Sequence, residues 1–463
     1  MSARLRVAPF LLATAVVTTI PSAAPGAEDA RLKGAARGAR NGWITLRLQG
    51  APSTIGYQHG FLLAPEIADA LAVTRLSLTH DGKRDWAFFR EAARTVLWPR
   101  VEPEYREELQ GIAAGAAAGG TKADLWDVVA LNANLELGYY TATLDKDGRS
   151  GAPDKCSAFV ATGRATRDGR PVIAHNNWSG YLEGSRWNVV FDIRPAAGHR
   201  FVMDGFPGLI HSGDDFGINS AGIAITETTI TGFKGFDPAG IPEFARARKA
   251  MQYAGSIDDF DRIMREGNNG GYANAWLVAD MNTGEIARLE LGLRNVTLER
   301  TRDGHFVGSN FPVNPKLAAE ETKFKLDDPS LSANARRVRA EQLMKENAGK
   351  IDVAVAKAYL SDHYDAYEKK ADAPSERSLC GHVDLSPRGM GDWFSAWGPA
   401  GTVQAKVADA ALAKRMAFEA AMGHPCGATY RAAPHLAQRL EYAWTKPLMR
   451  DLVASPWTLF EAP

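Results

Sequence analysis

At Cys156 the texture of this chain changes, and that change constrains its fold more than any other feature. Upstream the pattern is mainly helical. Pro103 to about Ala118 places Tyr105, Leu109, Ile112, Ala113 and Ala116 on one face. Asp124 to Leu137 carries Leu125, Val128, Val129 and Leu135 in a stripe with Asn132, and Asp124 stands where an N-cap belongs. Before them, Trp43 to Leu48 alternates like a strand, and Gly56-Tyr-Gln-His59-Gly60 leads into a helical region. From Cys156 onward, β-like runs follow one another: Cys156 to Thr162, Pro171 to Ala174, Trp187 to Ile193, Phe201 to Asp204, Gly222 to Thr229, Ala275 to Asp280 and Ile286 to Leu291. Trp276-Leu-Val-Ala lacks polar alternation, which predicts sheets covered on both faces. Helices return at about Ser332 to Glu346 and Ala408 to Met422, the latter stopped by Gly423 and Pro425. Helices, then antiparallel strands, then helices predict a layered α+β body without internal repeats. The stretch Leu144 to Lys155 joins the two textures and reads either as a linker or as a plain surface loop.

With 463 residues the chain has ample length for a large core, and its 54 Lys+Arg against 54 Asp+Glu create no net field for nucleic acid or an anionic membrane. A small or amphipathic substrate is the expected partner, with at most transient contact with a membrane surface. Residues 1–27 read as a secretory signal: Arg4 and Arg6, an apolar run from Ala8 to Ile20, then small residues from Ser22 to Ala27. A run of about 13 residues is too short for a comfortable membrane span. The expectation is an exported protein, periplasmic or secreted, with an uncleaved anchor as the alternative. In an oxidising compartment an odd number of cysteines leaves one thiol over. Pairing Cys380 with Cys426 leaves Cys156 free; three buried thiols are the alternative.

Cys156 opens a strand just after the polar, glycine-rich stretch Asp145 to Lys155, as does a residue that becomes a new N-terminus when the chain is cut between Lys155 and Cys156. Such a cysteine carries its own base, because a freed α-amino group has a pKa of about 7.7 to 8.0. An inert core thiol is the bland reading. His175-Asn-Asn-Trp178 ends a predicted strand, where an imidazole polarises a thiolate, orients substrate or serves only as a hydrogen-bonded structural group. Trp178 would then be a pocket wall. His211 and Asp214, in a turn-rich segment from Gly205, invite a metal reading together with His175, but no HExxH or close His-x-His pair accompanies them. We expect no metal and no organic cofactor, and read the aspartates as turn formers or supporting groups. Asn274, just before a buried strand, is a candidate oxyanion donor or a hairpin asparagine. Arg336, Arg337 and Arg339 start a helix, and either its exposed face is simply basic or one of the three pairs with a carboxylate near the nucleophile; spacing does not choose among them. No phosphate cradle occurs, which argues against nucleotide chemistry.

These segments resemble the phospholipase B-like proteins and, more loosely, the autoproteolytic acyltransferases related to penicillin acyltransferase, both N-terminal-nucleophile hydrolases. The resembling pieces are Cys-Ser-Ala-Phe-Val at 156, His-Asn-Asn-Trp at 175, the Gly205 to Phe216 segment, Thr-Glu-Thr-Thr-Ile at 226, Tyr-Ala-Asn-Ala-Trp at 272 and Gly-Asp-Trp-Phe-Ser at 391. Gly-Tyr-Gln-His-Gly at 56, Glu-Leu-Gln-Gly-Ile-Ala at 108 and Leu-Cys-Gly-His-Val-Asp at 379 resemble the acyltransferases. The resemblance implies a four-layer αββα sandwich of antiparallel sheets and self-cleavage before Cys156. Residues 28–155 and 156–463 would then be two chains that remain associated in one hydrolase domain. It further implies acyl amide or ester hydrolysis through an acyl-cysteine, phospholipid deacylation included. Cys156 becomes nucleophile and base and Asn274 an oxyanion donor. His175, Trp178 and Thr228 become pocket groups, and Arg337 is the candidate for an arginine of the family that this sequence does not match cleanly. An acyltransferase on the same site, or a secreted binding protein that keeps the fold without chemistry, are the alternatives.

Overall fold

The computed structural model describes residues 29–145, 156–391 and 393–461. The expected signal segment and the Lys155 side of the expected cleavage site lie outside the described residues.

Among the described residues, fifteen strands form two sheets. In chain order they are β1 (Ala36–Arg40), β2 (Trp43–Gly50), β3 (Ser157–Gly163), β4 (Gly169–Gly180), β5 (Val189–Pro195), β6 (Phe201–Gly205), β7 (Gly217–Asn219) and β8 (Ile223–Thr229), followed by β9 (Asn274–Asp280), β10 (Glu285–Leu291), β11 (Val296–Thr301), β12 (Gly304–Gly308), β13 (Ala400–Asp409), β14 (Ala417–Met422) and β15 (Thr458–Glu461). The larger sheet runs β1-β2-β5-β6-β7-β8-β9-β10-β11 and the smaller β12-β3-β4-β13-β14-β15.

Alternation along each strand divides the buried side chains into three layers. Val160, Ile173, Ile218, Leu277, Ile286 and Phe418 fill the space between the sheets. Leu48, Phe191, Met203, Ile225, Val278 and Leu289 face the opposite way, onto helices that include Pro103–Ala118, Leu125–Asn132 and Glu243–Tyr253. On the far side of the smaller sheet, Phe159, Ala174 and Val407 pack against Ala340, Met344 and Tyr359 of the helices Ser332–Glu346 and Val353–Leu360. Helix, sheet, sheet, helix is the αββα sandwich expected from the resemblance.

Two expectations need correction. The sheets are not wholly antiparallel, because β2 pairs parallel with β5, from Ile44 opposite Val189 to Gly50 opposite Pro195. Nor is Ala408 to Met422 one helix: it is the end of β13, a single turn at Ala410–Ala413, and β14. Its alanines favour helix, but both faces of this hairpin are buried, so alternation is lost and sheet pairing overrides local propensity. The helix expected from Asp124 is divided into Leu125–Asn132 and Asn134–Leu144, with Asp124 capping the first through the N–H groups of Trp126 and Asp127.

The glycines of the Gly56 and Glu108 motifs have a shared cause. The helices Pro52–Leu62 and Pro103–Ala118 cross so closely that a Cβ on Gly56 would lie 2.0 Å from the Glu108 carbonyl oxygen, and one on Gly111 would lie 2.4 Å from that of Ser53. Only glycine permits that approach.

Candidate active site

Cys156 immediately precedes β3 and is fully buried. Its φ of 86° lies in the left-handed half of conformational space, unusual for a residue with a side chain and a strain of roughly 1 to 3 kcal/mol. Antiparallel pairing sets Ala158 opposite His175 on β4, and His175 in turn opposite Lys406 on β13. His175 therefore lies within a long strand that continues to Gly180, rather than at a strand end. The Cys156 sulfur, a ring nitrogen of His175 and a carboxylate oxygen of Glu227 all lie within 4.8 Å of one another. Cys156 Sγ stands 4.0 Å from Glu227 Oε1.

The electrostatics of this group follow from its burial. Exclusion of water pushes the Cys156 thiol well above its ordinary pKa, the Glu227 charge adds to that, and the Trp178 backbone N–H works the other way. Burial, with Lys406 nearby, holds His175 well below its ordinary value, so its imidazole is neutral. Neither ring nitrogen of His175 makes a hydrogen bond among the described residues, although Nδ1 lies 3.7 Å from Asp214 Oδ2. That leaves a neutral imidazole beside the thiol, with ring nitrogens free of hydrogen bonds among the described residues and a protonation that burial disfavours.

Behind His175 a buried polar network spans the two sheets. Lys406 bonds to Asp214 and lies 3.3 Å from Asp204, Gln404 donates to Asp204 at 2.6 Å, and Ser212 donates to Asp214 at 2.6 Å and to Asp204 at 3.1 Å. Burial followed by the Asp214 charge pushes the Asp204 carboxyl well up. Burial opposes the Lys406 charge, yet Asp204 and Asp214 hold the ammonium above its ordinary pKa. Asp214 is thus a supporting group of the Cys156 and His175 site. His211 is not: it faces Asp215 at 3.5 Å and Glu243 at 4.0 Å.

The arginine at this site is Arg336, where Arg337 was the candidate. Arg336 is fully buried and donates to the Cys156 carbonyl oxygen at 2.5 Å, to Ser157 Oγ at 3.2 Å and to Asn310 Oδ1 at 2.9 Å. Its guanidinium lies 4.4 Å from the centroid of the Trp178 ring. Arg337 instead lies over Phe311. The signal was present in the helix period, since Ala333, Arg336, Ala340 and Met344 share its buried stripe and Arg337 is one position off it.

Glu227 was also missed as a site residue, although its motif was noted. A carboxylate inside the otherwise uncharged, wholly buried strand β8 is the sign that could have marked it. Tyr272 donates to Glu227 Oε1 at 2.8 Å, and Asn274, with its amide oriented by its neighbours, donates to Glu227 Oε2 at 2.8 Å. Asn274 thus reaches the site by way of Glu227. Thr228 is buried on the same strand, its hydroxyl without a hydrogen bond among the described residues and its side chain against Gly308. Trp178 is buried as a wall behind Arg336. One residue beyond it begins a cavity of about 500 Å³, lined among others by Ser179, Gly180, Leu182, Trp187, Phe206 and Phe394.

Cys380 and Cys426 are free thiols here, not the expected disulfide. They lie apart from Cys156, in a cluster with His363 and His382.

A family model described as phospholipase B matches residues 105–307, which include Cys156, His175, Trp178, Glu227 and Asn274. An uncharacterized protein of Archaeoglobus fulgidus is 30% identical over 258 residues, 52% of this chain and 42% of that one. The putative phospholipase B-like 1 of Caenorhabditis elegans is 24% identical over 309 residues, covering 60% of this chain and 54% of the relative. The acyl-coenzyme A:6-aminopenicillanic-acid-acyltransferase 40 kDa form of Emericella nidulans is 26% identical over 225 residues, 47% and 56% of the two chains. The chain thus spans about half the length of the curated relatives it matches. No helix among the described residues is long and apolar enough to cross a membrane.

Proposed function

We propose that this chain, a relative of the phospholipase B-like proteins and of the penicillin acyltransferases, is an N-terminal-nucleophile hydrolase that cuts itself before Cys156 and then cleaves acyl amides or esters. The observation that carries the reading is Cys156 itself: a buried thiol at the start of a strand, at positive φ, with a neutral imidazole and a carboxylate around its sulfur and a guanidinium on its carbonyl. The φ torsion needs the preceding carbonyl carbon. Breaking that peptide bond abolishes the torsion and releases its strain, which supports cleavage at this point.

In the maturation step the Cys156 thiol attacks the carbonyl carbon of Lys155 while His175 takes the thiol proton. His175 passes that proton to the peptide nitrogen, which leaves as the α-amine, and water hydrolyses the thioester, leaving a carboxyl group on Lys155 and restoring the thiol. In turnover that α-amine accepts the thiol proton and sulfur attacks the substrate acyl carbon. The proton passes to the leaving amine or alcohol, and water releases the acid. Arg336 fixes the Cys156 carbonyl, and with it the direction of the Cα–Cβ bond. Asn274 serves as oxyanion donor once its amide turns from Glu227 toward the substrate. The cavity that begins beside Trp178 has a mixed lining, with Leu182, Trp187, Phe206 and Phe394 beside Asp81, Glu183 and Glu441, and suits a substrate with an apolar acyl part and a polar head. Residues 28–155 and 156–463 remain associated as one catalytic body, exported to the periplasm or beyond, and the chemistry requires no cofactor. The likeness to an acyltransferase favours one competing outcome, capture of the acyl-enzyme by an amine instead of water.

The deciding experiment is N-terminal sequencing of the purified protein with an acyl-release assay on a lysophospholipid and on an N-acyl amide. The expected result is a chain beginning Cys-Ser-Ala-Phe-Val, with activity that Cys156→Ala abolishes together with the cut. An intact chain with full activity, or a cut chain that binds both substrates and hydrolyses neither, rejects the proposal.

A further inference from the structure

The two cysteines away from Cys156 meet two histidines, and the four come from three separate pieces of chain. His363 follows the helix Val353–Leu360, Cys380 and His382 stand in a loop two residues apart, and Cys426 lies in the turn after β14. The ligand atoms of all four lie within 4.8 Å of one another. The Nε2 atoms of His363 and His382 are 3.2 Å apart, and Cys426 Sγ lies 3.6 Å from His382 Nε2.

Two of those separations match edges of a small tetrahedron. With metal–nitrogen bonds of about 2.05 Å and metal–sulfur bonds of about 2.3 Å, a tetrahedral zinc site requires nitrogens about 3.3 Å apart and a sulfur about 3.6 Å from a nitrogen. The surroundings prepare the same arrangement. His363 Nδ1 faces Asp372 Oδ1 at 3.2 Å, which places the ring proton on Nδ1 and directs the Nε2 lone pair into the cluster. Backbone bonds anchor the loop, Cys380 N–H to the Asp362 carbonyl at 3.1 Å and His382 N–H to that of Ser375 at 3.0 Å. His424 stacks on His382 with ring centroids 3.9 Å apart, and Tyr181 and His424 are hydrogen-bonded at 2.9 Å. Cys426 and His363 keep partial exposure, which gives an ion a way in.

We propose that His363, Cys380, His382 and Cys426 bind one divalent ion of the zinc class in a closed, four-ligand site. Two thiolates and two imidazoles suit zinc by donor type, and four protein ligands make the site structural instead of catalytic. Its role follows from Gly381, between two of the ligands. A Cβ there would fall 2.2 Å from Cε2 of Trp178, so the loop that the ion clasps is pressed onto the ring that backs Arg336 and, through it, Cys156. The ion would hold the outer wall of the nucleophile's site without touching the reaction. The proposal stands whether or not Cys156 is catalytic.

The test uses the full chain, produced with zinc supplementation and purified without a polyhistidine tag or chelator. Elemental analysis should find one zinc per chain. Replacing it with cobalt should give thiolate-to-cobalt charge transfer and the intense visible bands of a tetrahedral site. Cys426→Ser and His363→Ala should each reduce bound zinc at least tenfold, and Asp372→Asn should weaken it by roughly tenfold. If the ligand variants fail to fold, the wild-type protein still decides, since adding zinc to chelator-stripped protein should raise its melting temperature. A chain without zinc and two hydrogens lighter, its Cys380 and Cys426 joined, overturns the proposal. So does zinc bound equally by Cys426→Ser.

Discussion

Cys156 and Cys426 carry the same side chain into opposite chemical situations. Around Cys156 water is excluded and a carboxylate stands nearby, so its thiol is pushed up. Around Cys426, hydrogen bonding with Cys380 and then with the imidazoles of His363 and His382 outweighs partial burial and pulls the thiol down. A sulfur kept protonated until a local base takes its proton suits a nucleophile fired once per turnover. A sulfur held as thiolate among soft and borderline donors suits a permanent ligand. Neighbours, rather than the residue, divide the labour.

The sharpest way to break this contrast is to remove each sulfur. Cys156→Ala should leave the chain uncut and lower acyl release by about 10³-fold or more, whereas Cys426→Ala should still be cut, as gel electrophoresis and N-terminal sequencing will show. If both variants are cut alike, the division of roles is wrong.

Next in size is the arginine beside Cys156. Arg336→Ala removes several charge-assisted hydrogen bonds from a buried site, each worth about 1.5 to 3 kcal/mol, and should cost at least about 3 kcal/mol in urea unfolding. Arg337→Ala should cost about 1 kcal/mol or less. Arg336→Lys should not restore the loss, because an ammonium does not reproduce the planar fork that spans Cys156, Ser157 and Asn310.

Gly381 links the two sulfur sites, and Gly381→Ala should disturb both. Its φ of 66° and the 2.2 Å approach to Trp178 predict a loss of about 2 kcal/mol, measured by denaturation, with weaker zinc retention and slower chain cutting together. Loss of stability with both functions intact would separate the sites.

The smallest effect is a pH dependence. In chelator-stripped protein, iodoacetamide at mildly acidic pH should modify Cys426 at least about tenfold faster than Cys156, because a thiol pulled down is already ionised there and one pushed up is not. Raising the pH should narrow the gap from the Cys156 side alone. Peptide mass mapping reads both sites in one experiment, and zinc should protect Cys426.

Local signals carried much of this molecule in the sequence. The helices Pro103–Ala118 and Ser332–Glu346 fall where their apolar periods predict them, because each packs one stripe on a neighbouring layer. Cys156 was marked by its place at a change of texture, and His175 by its polar company in a buried run. What stayed hidden depends on pairing between distant segments. Lys406 and Gln404 sit on β13, whose end was read as the start of a helix, and nothing local shows that they meet Asp204 and Asp214 across the sandwich. Cys380 and Cys426 read as a disulfide pair but are free thiols, and although His382 stands two residues from Cys380, nothing local shows that His363 and Cys426 join them.

The parallel ladder between β2 and β5 has a consequence for how the molecule ages. Before a cut at Cys156, those two strands belong to one polymer and find each other at the high effective concentration that a tether enforces. After it they belong to separate molecules, one contributing an interior strand to the other's sheet. Renaturation then becomes second order and dependent on dilution, so heated mature protein should fail to recover while heated Cys156→Ala precursor does. The proposed cut before Cys156 would thus also make folding a one-way event, with lifetime set by the unfolding barrier instead of by equilibrium.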